Sequence, residues 1–202
     1  MKRFLFLLVV GALLSGNITA QRLRIGVRGG FNVSDYDFSP VEVGDARFYS
    51  GPLRTGFETG LVVRLNLTKH LHLQSELNYD FVNYSVRAEA DLLRSLRMRS
   101  ERLELPVQLG FQFGVLRLFG GVSFRLYDTS HSSVPDLLKI DYNDNMAVMG
   151  GLGVNIKRFF LDLRVQGYPR SHVWNTFTSG DETMRVKVNH DIIYGGSIGF
   201  FF

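Results

Sequence analysis

The chain has 202 residues, 23 Lys and Arg against 19 Asp and Glu, a formal net charge of +4 and no cysteine. That balance leaves no electrostatic footprint for nucleic acid. The missing cysteines exclude a small disulfide-stapled module, and the length suits one domain.

The first 21 residues, MKRFLFLLVVGALLSGNITAQ, begin with Lys2 and Arg3, continue in an apolar run from Phe4 to Leu14, and end in small and polar residues. This is the order of a secretory signal peptide. The run has 11 residues, short of the roughly 20 that a spanning helix needs. Residues 1–20 are therefore expected to be a signal peptide and 21–202 the mature domain. Loss of Lys2 and Arg3 takes the net charge from +4 to +2.

From residue 22 onward apolar residues recur at period two, the mark of strands. In 22–33, Leu23, Ile25, Val27, Phe31 and Val33 alternate with Arg22, Arg24, Gly26, Arg28, Gly30 and Asn32. The next segments, 54–67 and 71–86, repeat the pattern. There Phe57, Leu61, Val63, Leu73, Leu77 and Phe81 oppose Glu58, Arg64, Gln74, Glu76, Asn78 and Asp80. At Val82, Tyr84 and Val86 the apolar phase slips, which predicts a bulge. Four more strands are expected at 101–113, 116–127, 144–156 and 159–168. The last runs over 185–202, with Val186, Val188, Ile192, Tyr194, Ile198, Phe200 and Phe202 on one face.

The connections take strict turns in length: 34–53, 87–100, 128–143 and 169–184 are long, while 68–70, 114–115 and 157–158 are short. A meander with all long loops at one end and all tight turns at the other is the plan of an outer-membrane barrel. The expected fold is all-β, an eight-stranded antiparallel up-and-down transmembrane β-barrel with both termini on the periplasmic side.

Alternation alone does not say which face points inward, since a soluble lipocalin-like barrel would place the apolar face inside. Three features favour the inverted arrangement. Glycines 26, 30, 60, 110, 121, 151, 153, 195 and 199 crowd the charged face, where a narrow lumen filled by long side chains needs small neighbours. That face carries both signs, so its charges can pair when enclosed. Arg22, Arg24, Arg28, Arg64, Arg102, Arg117, Arg125, Arg164 and Lys187 accompany Glu58, Glu76, Asp80, Glu104, Asp162 and Asp191. Aromatics (Phe31, Phe57, Phe81, Phe113, Tyr127, Phe159 and Phe202) stand near strand ends on the apolar face, as in interfacial girdles. The terminal SIGFFF then finds a role as the strand that closes the sheet against 22–33, with Phe202 toward lipid and Phe201 toward the lumen.

LELPVQLGFQFG (103–114), RIGVRGGFNVS (24–34) and TGFETGLVVRLNLTKHLHLQSELNY (55–79) resemble strands of the Bacteroidetes outer-membrane β-barrel domain proteins, the PorT-like family. LFGGVSF (118–124) and GLGVNI (151–156) resemble its later hairpins. The resemblance covers about all of 22–202 and implies architecture. Its motifs are barrel-building residues, and relatives include both secretion- or gliding-linked proteins and ones with no assigned role. Resemblance to outer-membrane barrels also implies that the assembly machinery reads the C-terminal strand.

Candidates for chemistry are sparse. His131, Ser132, Ser133, Ser171 and His172 lie in long loops, and a lipid A-modifying enzyme would need a serine, a histidine and an acid to converge. No strand-mounted partner is evident, so solvated loops are the preferred reading. Asp141, Asn143 and Asn145 have the opening spacing of a calcium loop, but Met146 and Leu152 stand where its glycine and glutamate belong. His70, His72, His131, His172 and His190 show no zinc spacing. Trp174 and Phe177 are apolar residues of the last long loop and a candidate partner contact. No catalytic, cofactor-binding or metal-binding residue is assigned, and no cofactor is expected. The expected role is a small non-enzymatic envelope protein that meets outer-membrane lipid and lipopolysaccharide, acting through its loops or within a larger assembly.

Overall fold

A computed structural model describes residues 23–34, 40–43, 46–50, 54–89, 93–132, 138–142, 145–169, 172–179, 182–189 and 192–202. The expected signal peptide, 1–20, lies outside the described residues. In chain order the strands are β1 (Leu23–Ser34), β2 (Val41–Val43), β3 (Ala46–Ser50), β4 (Arg54–Asn66), β5 (Leu71–Glu89), β6 (Leu93–Phe113), β7 (Leu116–Ser132), β8 (Leu138–Tyr142), β9 (Met146–Ile156), β10 (Phe159–Gly167), β11 (His172–Ser179), β12 (Glu182–Asn189) and β13 (Ile193–Phe201).

Eight of these close into a barrel in the order β1-β4-β5-β6-β7-β9-β10-β13, and β13 pairs antiparallel with β1 from Gly26–Phe201 to Ser34–Ile193. The terminal strand is thus paired along both edges, which leaves no open edge in the barrel. Phe202 extends the closure, its amide donating to the Ile25 carbonyl at 2.9 Å.

The start of β1, Phe202 and the three tight turns share one end of the barrel. Gly114 and Lys157 each take the first position of a two-residue turn at positive φ, 58° and 56°, as hairpins closed by such turns require. At the third turn the Thr68 hydroxyl oxygen accepts the amides of His70 and Leu71 at 3.2 and 2.9 Å. That side chain supplies the turn geometry where no glycine is present.

The apolar face points outward. Phe57 and Leu163 are 70% and 66% exposed, and Ile25, Leu61, Leu109, Leu118, Leu152 and Ile198 are exposed with them. On β6 the outward apolar series runs from Leu103 to Phe113. At roughly 3.3 Å per residue and a tilt of roughly 40°, it spans about 25 Å, the height of a membrane barrel's apolar band. Of the girdle aromatics, Phe31, Phe57, Phe113, Tyr127, Phe159 and Phe202 are exposed. Phe81 is half-buried beneath Arg99. Thr59, on the outward face of β4, spends its hydroxyl on the Arg28 carbonyl at 3.3 Å, which makes a polar side chain tolerable there.

Four expectations need correction. The long connections are not simple loops. The 87–100 segment is mostly strand, with β5 running to Glu89 and β6 starting at Leu93, and β2, β3, β8, β11 and β12 form within the others. Backbone groups beyond the bilayer still gain by pairing, and the hairpins extend until a turn stops them. Second, the strand expected over 185–202 is two. β12 pairs with β11, and β11 with β8, in a separate three-stranded sheet, while only β13 enters the barrel. Lys187, Val186 and Val188 therefore belong to that second sheet and not to the barrel wall; Asp191 lies outside the described residues.

Third, β5 has no bulge at 82–86. Its pairing with β6 keeps one register from Asn78 to Glu89, and Val82 turns inward and is buried. The bulge is on β7 opposite Leu103 and Glu104, where Leu126 is the extra residue and Leu126 and Tyr127 both face outward. Fourth, Arg24 is exposed at the barrel mouth, and Arg22 lies outside the described residues.

Candidate functional site: the filled lumen and its outer cap

Inward side chains of four strands converge on one carboxylate. Glu76, on β5, is buried and accepts hydrogen bonds from five side chains. Arg28 donates to Oε2, Arg164 to Oε2 at 2.8 Å, Gln74 to Oε1 at 2.6 Å, Gln108 to Oε1 at 2.8 Å and Asn78 to Oε2 at 2.9 Å. Arg28 also pairs with Glu58. The donors come from β1, β5, β6 and β10, so this one group ties opposite walls together. Arg64, expected in the same network, reaches it only through an intermediary: Arg64 Nε donates to Gln74 Oε1 at 2.6 Å, and Gln74 donates to Glu76. Enclosed charges persist when such partners complete their hydrogen bonding.

Toward the tight turns the lumen becomes aromatic. Val62, Phe160 and Phe201 form a buried cluster, and the Phe160 and Phe201 rings lie 4.9 Å apart. The Arg64 guanidinium sits 4.6 Å from the Phe201 centroid and 5.5 Å from that of Phe160, so the cation is held against π faces. Arg117 pairs with Asp162, bonds Gln74 at 2.9 Å and lies 5.0 Å from the Phe119 ring. The inward-facing Phe201 expected from the sequence is thus part of a plug.

Glycine permits this packing in two clear cases. A Cβ at Gly199 would overlap the Phe160 ring, and one at Gly110 would overlap the His72 imidazole. Each large inward side chain occupies the space that a neighbouring strand leaves by carrying hydrogen.

Toward the long hairpins, Glu104 accepts from Ser123 at 3.0 Å, Gln166 at 2.9 Å and the Tyr168 hydroxyl at 2.8 Å. Arg125 lies over the Tyr168 ring at 4.8 Å. Between Glu58, Asp80, Glu104 and Arg164 the open space is about 20 Å³, room for about one water. Above this, Val41, Val43 and Phe48 of the β2–β3 hairpin are buried, and β3 pairs with the extension of β5 beyond the membrane band. The hairpin adds an apolar core outside the barrel proper.

The loop candidates that fall within the described residues lie on two different sheets. His131 and Ser132 end β7, His131 pairing in register with Arg99, while His172 begins β11 opposite Asn189 in the other sheet. Ser133 and Ser171 lie outside the described residues. Asp141 and Tyr142 are paired with Trp174 and Val173 in an extended ladder, which is not the coiled backbone of a calcium loop. Asn143 lies outside the described residues, and the Asn145 carbonyl accepts the Arg125 amide at 2.8 Å. His70 is exposed, with Nδ1 3.1 Å from the Gln112 carbonyl oxygen, whereas His72 is buried, and His190 is outside the described residues. Among the described residues no group of three or more His, Cys, Asp or Glu side chains is arranged to hold a metal ion. Trp174 and Phe177 sit on β11 rather than in a loop.

Sequence reasoning missed the inward apolar residues Val62, Phe119, Phe160 and Met149. Their signal was present as breaks in alternation: Val62 stands between Leu61 and Val63, and Phe160 follows Phe159.

A closed antiparallel barrel, apolar outside and filled with paired charges inside, defines a small transmembrane β-barrel of the bacterial outer membrane. The chain belongs to the outer membrane protein beta-barrel domain family, whose profile matches residues 17–166. Among solved structures it is similar to the outer membrane protein OprG from Pseudomonas aeruginosa, with a TM-score of 0.56 and 15% identity over 89% of this chain and 95% of that one. It is also similar to the outer membrane protein AlkL, with a TM-score of 0.50 and 13% identity over 90% of each chain. At these identities the likeness concerns the fold. No curated protein sequence matches the chain.

Proposed function

We propose that the protein is a non-enzymatic outer-membrane barrel whose working surface is the β-structure beyond the bilayer, not a pore. The lumen supports this reading: Glu76 and its five partners fill the cross-section where a channel would run. The wild-type protein in a planar bilayer is expected to give no resolved conductance steps. Stable single-channel steps would overturn the filled-lumen reading. The competing reading, a lipid A-modifying enzyme, requires different lipid A mass spectra from cells with and without the protein; identical spectra are expected.

The proposed orientation places the long hairpins outside the cell and both termini in the periplasm, motivated by the grouping of the tight turns with the start of β1 and Phe202. A protease site inserted in 133–137 is expected to be cut on whole cells, and one at 68–70 is not. Cutting at 68–70 through an intact membrane would reverse the assignment.

The finer family branch, PorT-like, is part of the proposal and rests on LELPVQLGFQFG and the other strand motifs. A secretion-linked role within it predicts that deleting the protein blocks export of secreted cargo; unchanged export would leave the interaction role without the secretion link.

The C-terminal strand is the proposed signal for assembly. Phe202 is 73% exposed on the lipid face and Phe201 is 3% exposed in the lumen, so the two residues should fail differently. Phe202→Asp costs only about 0–1 kcal/mol near the interface, yet is expected to reduce the heat-modifiable form in outer membranes severalfold. Phe201→Ser is expected to lower the unfolding midpoint of protein refolded in detergent. Normal assembly of Phe202→Asp would remove Phe202 from the signal.

A further inference from the structure

The hairpin of β5 and β6 leaves the apolar band at a chemically marked place. Along the outward face of β6, the unbroken apolar series ends at Leu103, and Glu101 and Arg99 follow at the same parity. On β5 the corresponding outward series ends with Tyr79, Phe81 and then Asn83, which pairs with Arg99. Tyr79 donates its hydroxyl hydrogen to Glu101 Oε2 at 2.6 Å. Glu101 Oε1 holds Arg99 Nη2 at 3.0 Å. The Arg99 guanidinium lies over the Phe81 ring, 5.4 Å from its centroid.

Two neighbours, Glu101 and Phe81, therefore hold one guanidinium at the edge of the hydrocarbon, and Tyr79 fixes Glu101. The Glu101 side chain is 23% exposed, whereas that of Arg99 is 56% exposed. An exposed pair of this kind contributes little to stability, so folding alone gives weak reason to hold it. In the backbone register beyond this point Arg97 pairs with Ser85, Arg87 with Ser95, and His131 of β7 with Arg99.

We propose that Arg99, oriented by Glu101, Tyr79 and Phe81, binds a phosphate of the lipid A headgroup in the outer leaflet. A guanidinium fork matches phosphate oxygens in two-point contact, and an aromatic platform holds it in the interfacial layer. Lipid A is favoured over a glycerophospholipid because its phosphates are monoesters, each carrying roughly −1.5 to −2 charge near neutral pH, where the diester of a glycerophospholipid carries a single negative charge. The inference rests on the outward orientation of the long hairpins. Binding is measured in a bilayer with the same lipid on both faces, so its failure is distinguishable from a failed orientation.

The full mature protein is reconstituted in phosphatidylcholine nanodiscs containing bis-phosphorylated lipid A, and lipid retained after release into detergent is counted by native mass spectrometry. Wild type is expected to retain lipid A, and Arg99→Ala to retain about five- to tenfold less. Arg47→Ala, which removes another exposed arginine outside the barrel, is expected to match wild type. Fully dephosphorylated lipid A, and phosphatidylglycerol in its place, are expected to be retained no better by wild type than bis-phosphorylated lipid A is by Arg99→Ala. Heat-modifiable mobility verifies that each variant is folded; should Arg99→Ala fail to fold, Phe81→Leu, which removes the platform and keeps the arginine, is expected to weaken retention in the same assay. Equal retention by wild type and the Arg99 variant overturns the proposal, as does equal retention of dephosphorylated lipid A. An Arg47→Ala loss equal to that of Arg99→Ala would mean diffuse attraction and would overturn the site.

Discussion

Replacing Glu76 with leucine is expected to destabilise the detergent-folded barrel by about 3–5 kcal/mol, because removing one partner of a buried ion pair leaves the other charge uncompensated. Both Arg28 and Arg164 lose their bond to this carboxylate, and the amides of Gln74, Asn78 and Gln108 lose their acceptor. Leucine fills similar space and satisfies none of them. Glu76→Gln keeps an acceptor and should fall between wild type and leucine. Arg64→Leu should cost less than Glu76→Leu, since Arg64 bonds the amide oxygens of Gln74 and Asn155 and rests on aromatic rings. Urea titration followed by heat-modifiable mobility measures all three. An unchanged midpoint for Glu76→Leu would mean that this face is solvated, contrary to the burial of its whole neighbourhood.

The second large effect is expected at Gly199. Leucine there must displace the Phe160 ring, which is 1% exposed and held between Phe201, Arg64 and Arg117. Overpacking of this kind costs about 1–3 kcal/mol, and the upper end is expected because moving the ring also moves two guanidinium groups. The double variant Gly199→Leu with Phe160→Ala should be more stable than the sum of the two single changes, with a coupling of roughly 1 kcal/mol or more between touching residues. Gly29→Leu is the contrast. Gly29 faces lipid, and the nearest atom to a Cβ there is the Glu58 carbonyl oxygen at 3.9 Å, so a near-neutral effect is expected. Equal losses at Gly29 and Gly199 would contradict the inward packing of Phe160.

These expectations separate what could be read along the chain from what required the fold. Strand facing was legible because side-chain direction in a strand has period two, so a run such as Leu103, Leu105, Val107 and Leu109 commits each residue between them to the other face. The barrel itself was legible from the alternation of long and short connections. The lumen partners were not. Arg28 and Glu76 are 48 residues apart, and Arg164 and Glu76 are 88 apart; which arginine meets which carboxylate depends on strand stagger and on rotamers chosen in a crowded interior. The false bulge at Val82 shows the same limit, because an inward apolar side chain and a slipped register look alike in one strand.

By itself, then, the sequence determined a closed eight-stranded wall with an apolar exterior and a charged interior, since those follow from local periodicity and connection length. Only the tertiary structure decided that β12 leaves the barrel for a separate sheet with β11 and β8, that β2 and β3 add a second apolar core, and that Glu76 is the hub of the lumen. Alternation records that a residue has a covered face and an open one. It holds no information about which distant strand does the covering, and outside the bilayer a chain with the same period can satisfy its backbone against any available edge.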